Sequence, residues 1–213
     1  FVASWVGYSL AVQRRRGNRL SLSQIMNRQR HRWAAQMITR DNRVVDTTIN
    51  ASLQNGTAFF ASTSLIALGS VLTLSRSGDD VLNLFSALPF GAGTTRQTWE
   101  IKVAGLAVVF VYAFFKFAWA YRLYNYVAIL VGATPPAKDK DLPEAKTHAE
   151  KVGGLCEVAG RHFNRGQRAF FFALGYLGWF ISPWLLMATS IAVAVVLWRR
   201  QFASDSRDAL LGR

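Results

Sequence analysis

Ten polar residues stand beside long apolar runs: Asp46, Asn50, Asn55, Lys116, Arg122, Asn125, Arg161, His162, Asn164 and Arg168. Such side chains exchange ion pairs and hydrogen bonds, and a guanidinium group matches phosphate oxygens in geometry. Arg161, Arg165 and Arg168 offer that grip to a lipid headgroup. Glu157 and Arg161, four apart, suit one ion pair, and Arg43 and Asp46, three apart, suit another. Two chemistries fit the set. One is a polar pocket, ion route or partner site at a membrane face. The other is a set of hydrogen bonds that fixes helices while arginines hold lipid phosphates, the commoner use of interfacial polar residues.

More specialised chemistry finds no support in the spacing. There is no Gly-x-x-x-x-Gly-Lys-Ser/Thr loop, and Gly91 and Gly93 lack the flanking strand and helix of a dinucleotide site. His31, His148 and His162 lack metal-ligand spacing, and the first two read as solvated. No span carries the paired histidines of a transmembrane haem. Cys156 is the only cysteine, so an intramolecular disulfide is excluded and the residue reads as packing. Ser62 and Ser64 read as helix-packing residues, and Asp79-Asp80 as a solvated turn. No catalytic residue, cofactor or metal is assigned, and an enzyme is not expected.

The elements that position these residues follow from where charge is absent. Hydrophobic residues make up 51% of the chain and charged residues 17%, against about 25% charged in an ordinary globular protein. Residues 1–12 are uncharged and precede Arg14, Arg15 and Arg16. A helix of that length reaches about 18 Å, short of a hydrocarbon core of about 30 Å, so it reads as the end of a longer first transmembrane helix. Residues 13–46 are basic, with Leu22, Met26, Trp33, Met37 and Val44 forming one apolar stripe. This predicts an amphipathic helix at the cytoplasmic face, lying in the interface or packed on the bundle.

The second transmembrane helix is expected over 47–75, an outside loop over 76–98, and the third helix over 99–122. A cytoplasmic loop and helix over 123–168 would be exposed around Pro135 and Pro136 and helical after Pro143. The uncharged stretch 169–198 predicts a fourth span kinked at Pro183, followed by a polar tail over 199–213. The fold class is therefore all-α, a polytopic transmembrane bundle of about four spans.

The formal net charge of +13 sits beside apolar spans. Anionic lipid headgroups, not nucleic acid, are the expected partners. The loops flanking the second and third spans are arginine- and lysine-rich, and that bias places them in the cytoplasm. Both termini would then lie outside, although Arg199, Arg200, Arg207 and Arg213 argue against this for the C-terminal tail. Ala188 with Ala192, Ser190 with Ala194, and Gly175 with Gly178 are spaced for close helix approach. A structural, accessory or scaffold protein follows, forming a homo-oligomer or part of a membrane complex. The alternative is a small oligomeric channel or transporter with a polar cytoplasmic-side entrance.

Three stretches carry a resemblance. They are Arg40-Asp-Asn-Arg-Val-Val-Asp46 through Phe59-Phe-Ala-Ser-Thr63; Lys116-Phe-Ala-Trp119 through Tyr124-Asn-Tyr126; and Phe163-Asn-Arg-Gly166 through Trp179-Phe-Ile-Ser-Pro183. They resemble the bacterial membrane family called domain of unknown function 599, over roughly the whole chain after Arg28. The resemblance implies a multi-spanning protein of the bacterial inner membrane. It implies no activity and supplies no catalytic residue. Phe163-Asn-Arg-Gly166 is its most recognisable part.

Overall fold

Several helix starts along this chain coincide with capping residues. Ser21 forms a capping box with Gln24 at 2.8 and 3.3 Å. Thr95 accepts from the Thr98 backbone N–H, and Pro143 opens a helix where its missing N–H costs nothing. The computed structural model describes residues 1–14, 21–76 and 95–212, and no strand forms among them. Asp79-Asp80, Gly91, Gly93 and Arg213 lie outside the described residues.

The elements are α1 (Val2–Arg14), α2 (Leu22–Met37), α3 (Val44–Arg76) and α4 (Arg96–Gly132). A short 3₁₀ turn (Ala137–Asp139) leads to α5 (Pro143–Tyr176), α6 (Gly178–Ile181), α7 (Pro183–Phe202) and α8 (Asp205–Leu211). Three stretches, Val44–Arg76, Arg96–Gly132 and Pro183–Leu211, are long and apolar enough to cross a membrane.

Helix α4 is the axis. It runs antiparallel to α3, as Asn50 meets Tyr124 near one end and Val71 joins Trp99 and Val103 near the other. It is also antiparallel to α5, as Gly105 meets Tyr176 and Gly166 meets Phe117. The third predicted span thus continues ten residues past 122, and its added turns carry buried Val127 and Val131. They pack with Ala34, Met37, Ala149 and Val152 into a second core below the aromatic one.

Helix α2 lies along the first half of α5 and is packed on the bundle. Its buried residues are Ile25, Ala34 and Met37. The predicted stripe is therefore rotated: Met26 and Val44 are exposed, and Val44 belongs to α3. Packing against α5 selects the face that meets Gly153 and Gly160, where glycine lets the helices close in.

The uncharged stretch 169–198 is not one span. Helix α5 ends at Tyr176, α6 makes a single turn, and Ser182 is extended at φ −158°, ψ 155°. The residue before proline disfavours helical backbone, and Ser182 then caps α7 by accepting from the Leu185 N–H at 3.1 Å. Pro183 starts a helix instead of kinking one. The chain reverses, and α7 descends beside α5, with the Thr189 hydroxyl donating to Gly175 O at 2.6 Å. The hairpin returns Arg199, Arg200 and Arg207 to the end that holds α2, where Gln201 Nε2 donates to Ser23 Oγ at 2.7 Å. The C-terminal tail is thus corrected to the same end as the two basic loops. Among the described residues the opposite end holds Arg76, Arg96 and Lys102.

Candidate functional site

The ten polar residues lie toward the basic end but do not form one layer. A helix turns about 100° per residue, so neighbours in sequence leave in different directions. Asp46 is fully buried at the start of α3. Its Oδ1 accepts from Trp33 Nε1 at 2.7 Å and Arg40 Nη1 at 2.5 Å. Arg43 does not pair with it as its spacing suggests; its guanidinium donates to Pro135 O at 2.5 Å. Asp46 thereby fastens the turn between α2 and α3, and Arg43 ties that turn to the connection after α4.

One turn along, Asn50 donates to Tyr124 O at 3.2 Å, and Gln54 donates to Asn125 Oδ1 at 2.6 Å. Asn55 faces away from the bundle. On α4, the Lys116 ammonium sits 5.0 Å from the Tyr112 ring centre, and Arg122 lies over Trp119 and Tyr126. Arg161 pairs with Glu157 at 2.6 Å, as the spacing predicts, and Glu157 also meets His31 at 3.1 Å. His31 therefore has a partner. So has His148, whose Nε2 bonds Leu130 O at 2.8 Å and clamps α5 to the end of α4. His162 faces Trp119. Burial first, then the charges of Lys116, Arg165 and Arg161, hold its pKa below the ordinary histidine value.

Cys156 is fully buried in the lower core. Burial pushes its thiol up to about 12, only partly opposed by Arg30. The thiolate is the reactive form, so this residue is inert packing. A maleimide is expected not to label the native protein and to label it fully once unfolded in detergent. Equal labelling rates in both states would refute this placement.

Asn164 and Arg168 belong to a different grouping, formed where α5 meets α1, α2 and α7. Asn164 Nδ2 donates to Ser23 Oγ at 3.3 Å. A cavity of about 190 Å³ opens beside them, walled also by Tyr8, Arg30 and Arg200. A hollow on the far side of Arg168, about 300 Å³, is lined by Trp5, Ser9, Tyr112 and Arg165. No aspartate or glutamate lines either space. Among the described residues, no carboxylate comes within ion-pair distance of Arg30, Arg165, Arg168 or Arg200. Sequence reasoning missed Tyr8, Ser23, Arg30 and Arg200. The one available signal was Ser182-Pro183 after Gly178, a start-of-helix signature that reads as a turn and returns Arg200 to α5.

Fold and site together define a polytopic all-α membrane protein with a basic, cavity-bearing end. Among the described residues no group of His, Cys, Asp and Glu is arranged to hold a metal ion. The family model described as "Protein of unknown function, DUF599" matches residues 1–206, and the chain belongs to that family. No curated protein and no solved structure matches it.

Proposed function

We propose that the protein is an accessory or scaffold component of the bacterial inner membrane, with its arginine-rich end in the cytoplasm, and that it self-associates through the outward face of α3. The observation that carries this reading is the pattern on that face. Asn55, Phe59, Ser62, Ile66, Gly69 and Thr73 follow one another at steps of four and three, and all six are exposed. This is the seam spacing of helices that cross at a shallow left-handed angle. Gly69 has open space where a side chain would be, which permits close approach of a second backbone. Polar groups such as those of Asn55 and Ser62 are costly against lipid and gain from a facing helix. The charge bias supports the cytoplasmic assignment of the basic end.

A channel or transporter draws less support from the same residues. Asn50 and Gln54, which would line its entrance, are engaged in bonds that hold α3 to α4.

Native mass spectrometry from a mild detergent tests the proposal. A dimer or larger assembly is expected, and Asn55→Leu with Gly69→Leu is expected to shift it toward monomer. A lone wild-type monomer with no co-purifying partner would overturn the reading.

A further inference from the structure

The cavity at the basic end has the chemistry of an anion site and the setting of a lipid site. Arg30, Arg168 and Arg200 reach it from α2, α5 and α7. Two of them are held by neighbours. The guanidinium of Arg30 lies flat on Gly160, where an added Cβ would meet it at 2.7 Å, and its Nη1 donates to Asn27 Oδ1 at 2.6 Å. Arg200 sits 5.7 Å from the Phe171 ring centre. Arg168 separates this cavity from the hollow that also holds Arg165. Guanidinium groups gathered without a carboxylate repel one another, and an oxyanion placed among them relieves that repulsion with charge-assisted, often bidentate, hydrogen bonds. At about 190 Å³ the cavity is smaller than the roughly 300–1,000 Å³ of pockets for drug-sized ligands. It suits one phosphate group with a small substituent.

A second space indicates where such a phosphate comes from. Between α1 and α7 runs an apolar groove of about 450 Å³, lined by Gly7, Ala11, Ile191, Ala194, Val195 and others, and open to the outside. Tyr8 is a wall of both the groove and the arginine cavity. The groove extends along α1 and α7 away from the basic end, the direction an acyl chain takes from its headgroup.

We propose that the space between α1, α2, α5 and α7 binds an anionic phospholipid, its phosphate held by Arg30, Arg168 and Arg200 and one acyl chain lying in the α1–α7 groove. This rests on the membrane setting proposed above but not on self-association. A monomer that still selects anionic lipid would sink only the latter.

The test uses the full chain, stripped of native lipid in detergent and titrated with phosphatidylglycerol or phosphatidylcholine, with bound lipid read by native mass spectrometry. Wild type is expected to retain phosphatidylglycerol preferentially. Arg168→Gln with Arg200→Gln is expected to cut that preference about tenfold or more, since each charged hydrogen-bonding group lost weakens binding by about that factor. Arg122→Gln, on the α4 surface away from the cavity, is expected to leave it unchanged. Ala194→Phe fills the groove and is expected to release the lipid while all three arginines remain.

Equal retention of the two lipids by wild type, or an unchanged preference in the double variant, would overturn the site. Displacement of the lipid by inorganic phosphate together with no effect of Ala194→Phe would overturn the lipid assignment in favour of a soluble phosphoanion. Should the double variant not fold, Gly160→Ala, which pushes Arg30 off its seat, serves instead. A reduced preference is expected, and an unchanged one overturns the proposal.

Discussion

Asp46→Ala is expected to loosen the basic end of the bundle by about 2–3 kcal/mol. Breaking a buried ion pair by removing one partner costs roughly 3–5 kcal/mol, and the lower figure applies because Arg40 is 39% exposed while Asp46 is 0% exposed. The carboxylate accepts from both Trp33 and Arg40. It therefore joins the last turns of α2, the connecting turn and the first turn of α3. Without it, Trp33 Nε1 loses its acceptor and Arg40 loses its carboxylate partner.

The loss should be local before it is global. Residues 38–43 link α2 to α3 and carry two trypsin sites, Arg40 and Arg43. Where opening is fast relative to cleavage, proteolysis follows the population of the open form, and 2 kcal/mol corresponds to roughly 30-fold faster cutting. Asp46→Asn keeps an oxygen for Trp33 and loses only the charge, so it should fall between wild type and Asp46→Ala. Limited trypsinolysis in detergent, with cleavage sites mapped by mass spectrometry, reads the effect. Wild-type cutting rates in Asp46→Ala would show that the turn is held by something else.

What the sequence makes legible here is what one helix dictates by itself. The apolar runs lead to α3 and α4, and the Glu157–Arg161 pair forms because both ends lie on α5 at a fixed spacing. What stays hidden depends on which helices meet. An uncharged stretch conceals a reversal as readily as a long span, because hydrocarbon imposes no polar signal at a turn whose backbone groups are satisfied internally. Gly175 and Gly178 read as weak helix-contact signals. In the folded chain they let α7 close on α5, with Thr189 and Leu185 lying where side chains would project from Gly178. The stripe of α2 is misread by a partial rotation, because composition alone does not say that the glycine face of α5 is its partner. The arginine cavity is invisible for the same reason: its residues come from four helices separated by up to 193 positions, from Tyr8 to Gln201.

The second large effect is expected at Gly166. The string Phe163-Asn-Arg-Gly166 divides its residues among four neighbouring helices. Phe163 and Gly166, three apart, face the aromatic cluster of α3 and α4. Asn164 turns to α2 and Arg165 to α1 and Tyr112. A Cβ on Gly166 would stand 2.7 to 2.9 Å from three ring carbons of Phe117. That ring is fully buried and cannot retreat, since it stacks on Phe60 at 5.4 Å and meets Phe163 edge-on at 5.6 Å. Overpacking of this kind costs about 1–3 kcal/mol even for one methyl, so Gly166→Ala should destabilise by that amount and Gly166→Leu should force α5 off α4.

The clash is specific enough to be relieved. Phe117→Leu removes the colliding ring edge, and combined with Gly166→Ala it should cost less than the two changes added separately. Within lipid the helices associate through packing, without the hydrophobic drive of water, so fit at this contact matters more than apolar character. Unfolding in mixed micelles of the two single variants and the double variant forms a cycle whose coupling should fall within about 0.5–3 kcal/mol, favouring the pair. If the effects add, or if Gly166→Ala unfolds like wild type, then α4 and α5 do not meet at this level. The antiparallel register that brings Arg168 beside Tyr112, and with it the arginine cavity, would fall with that contact.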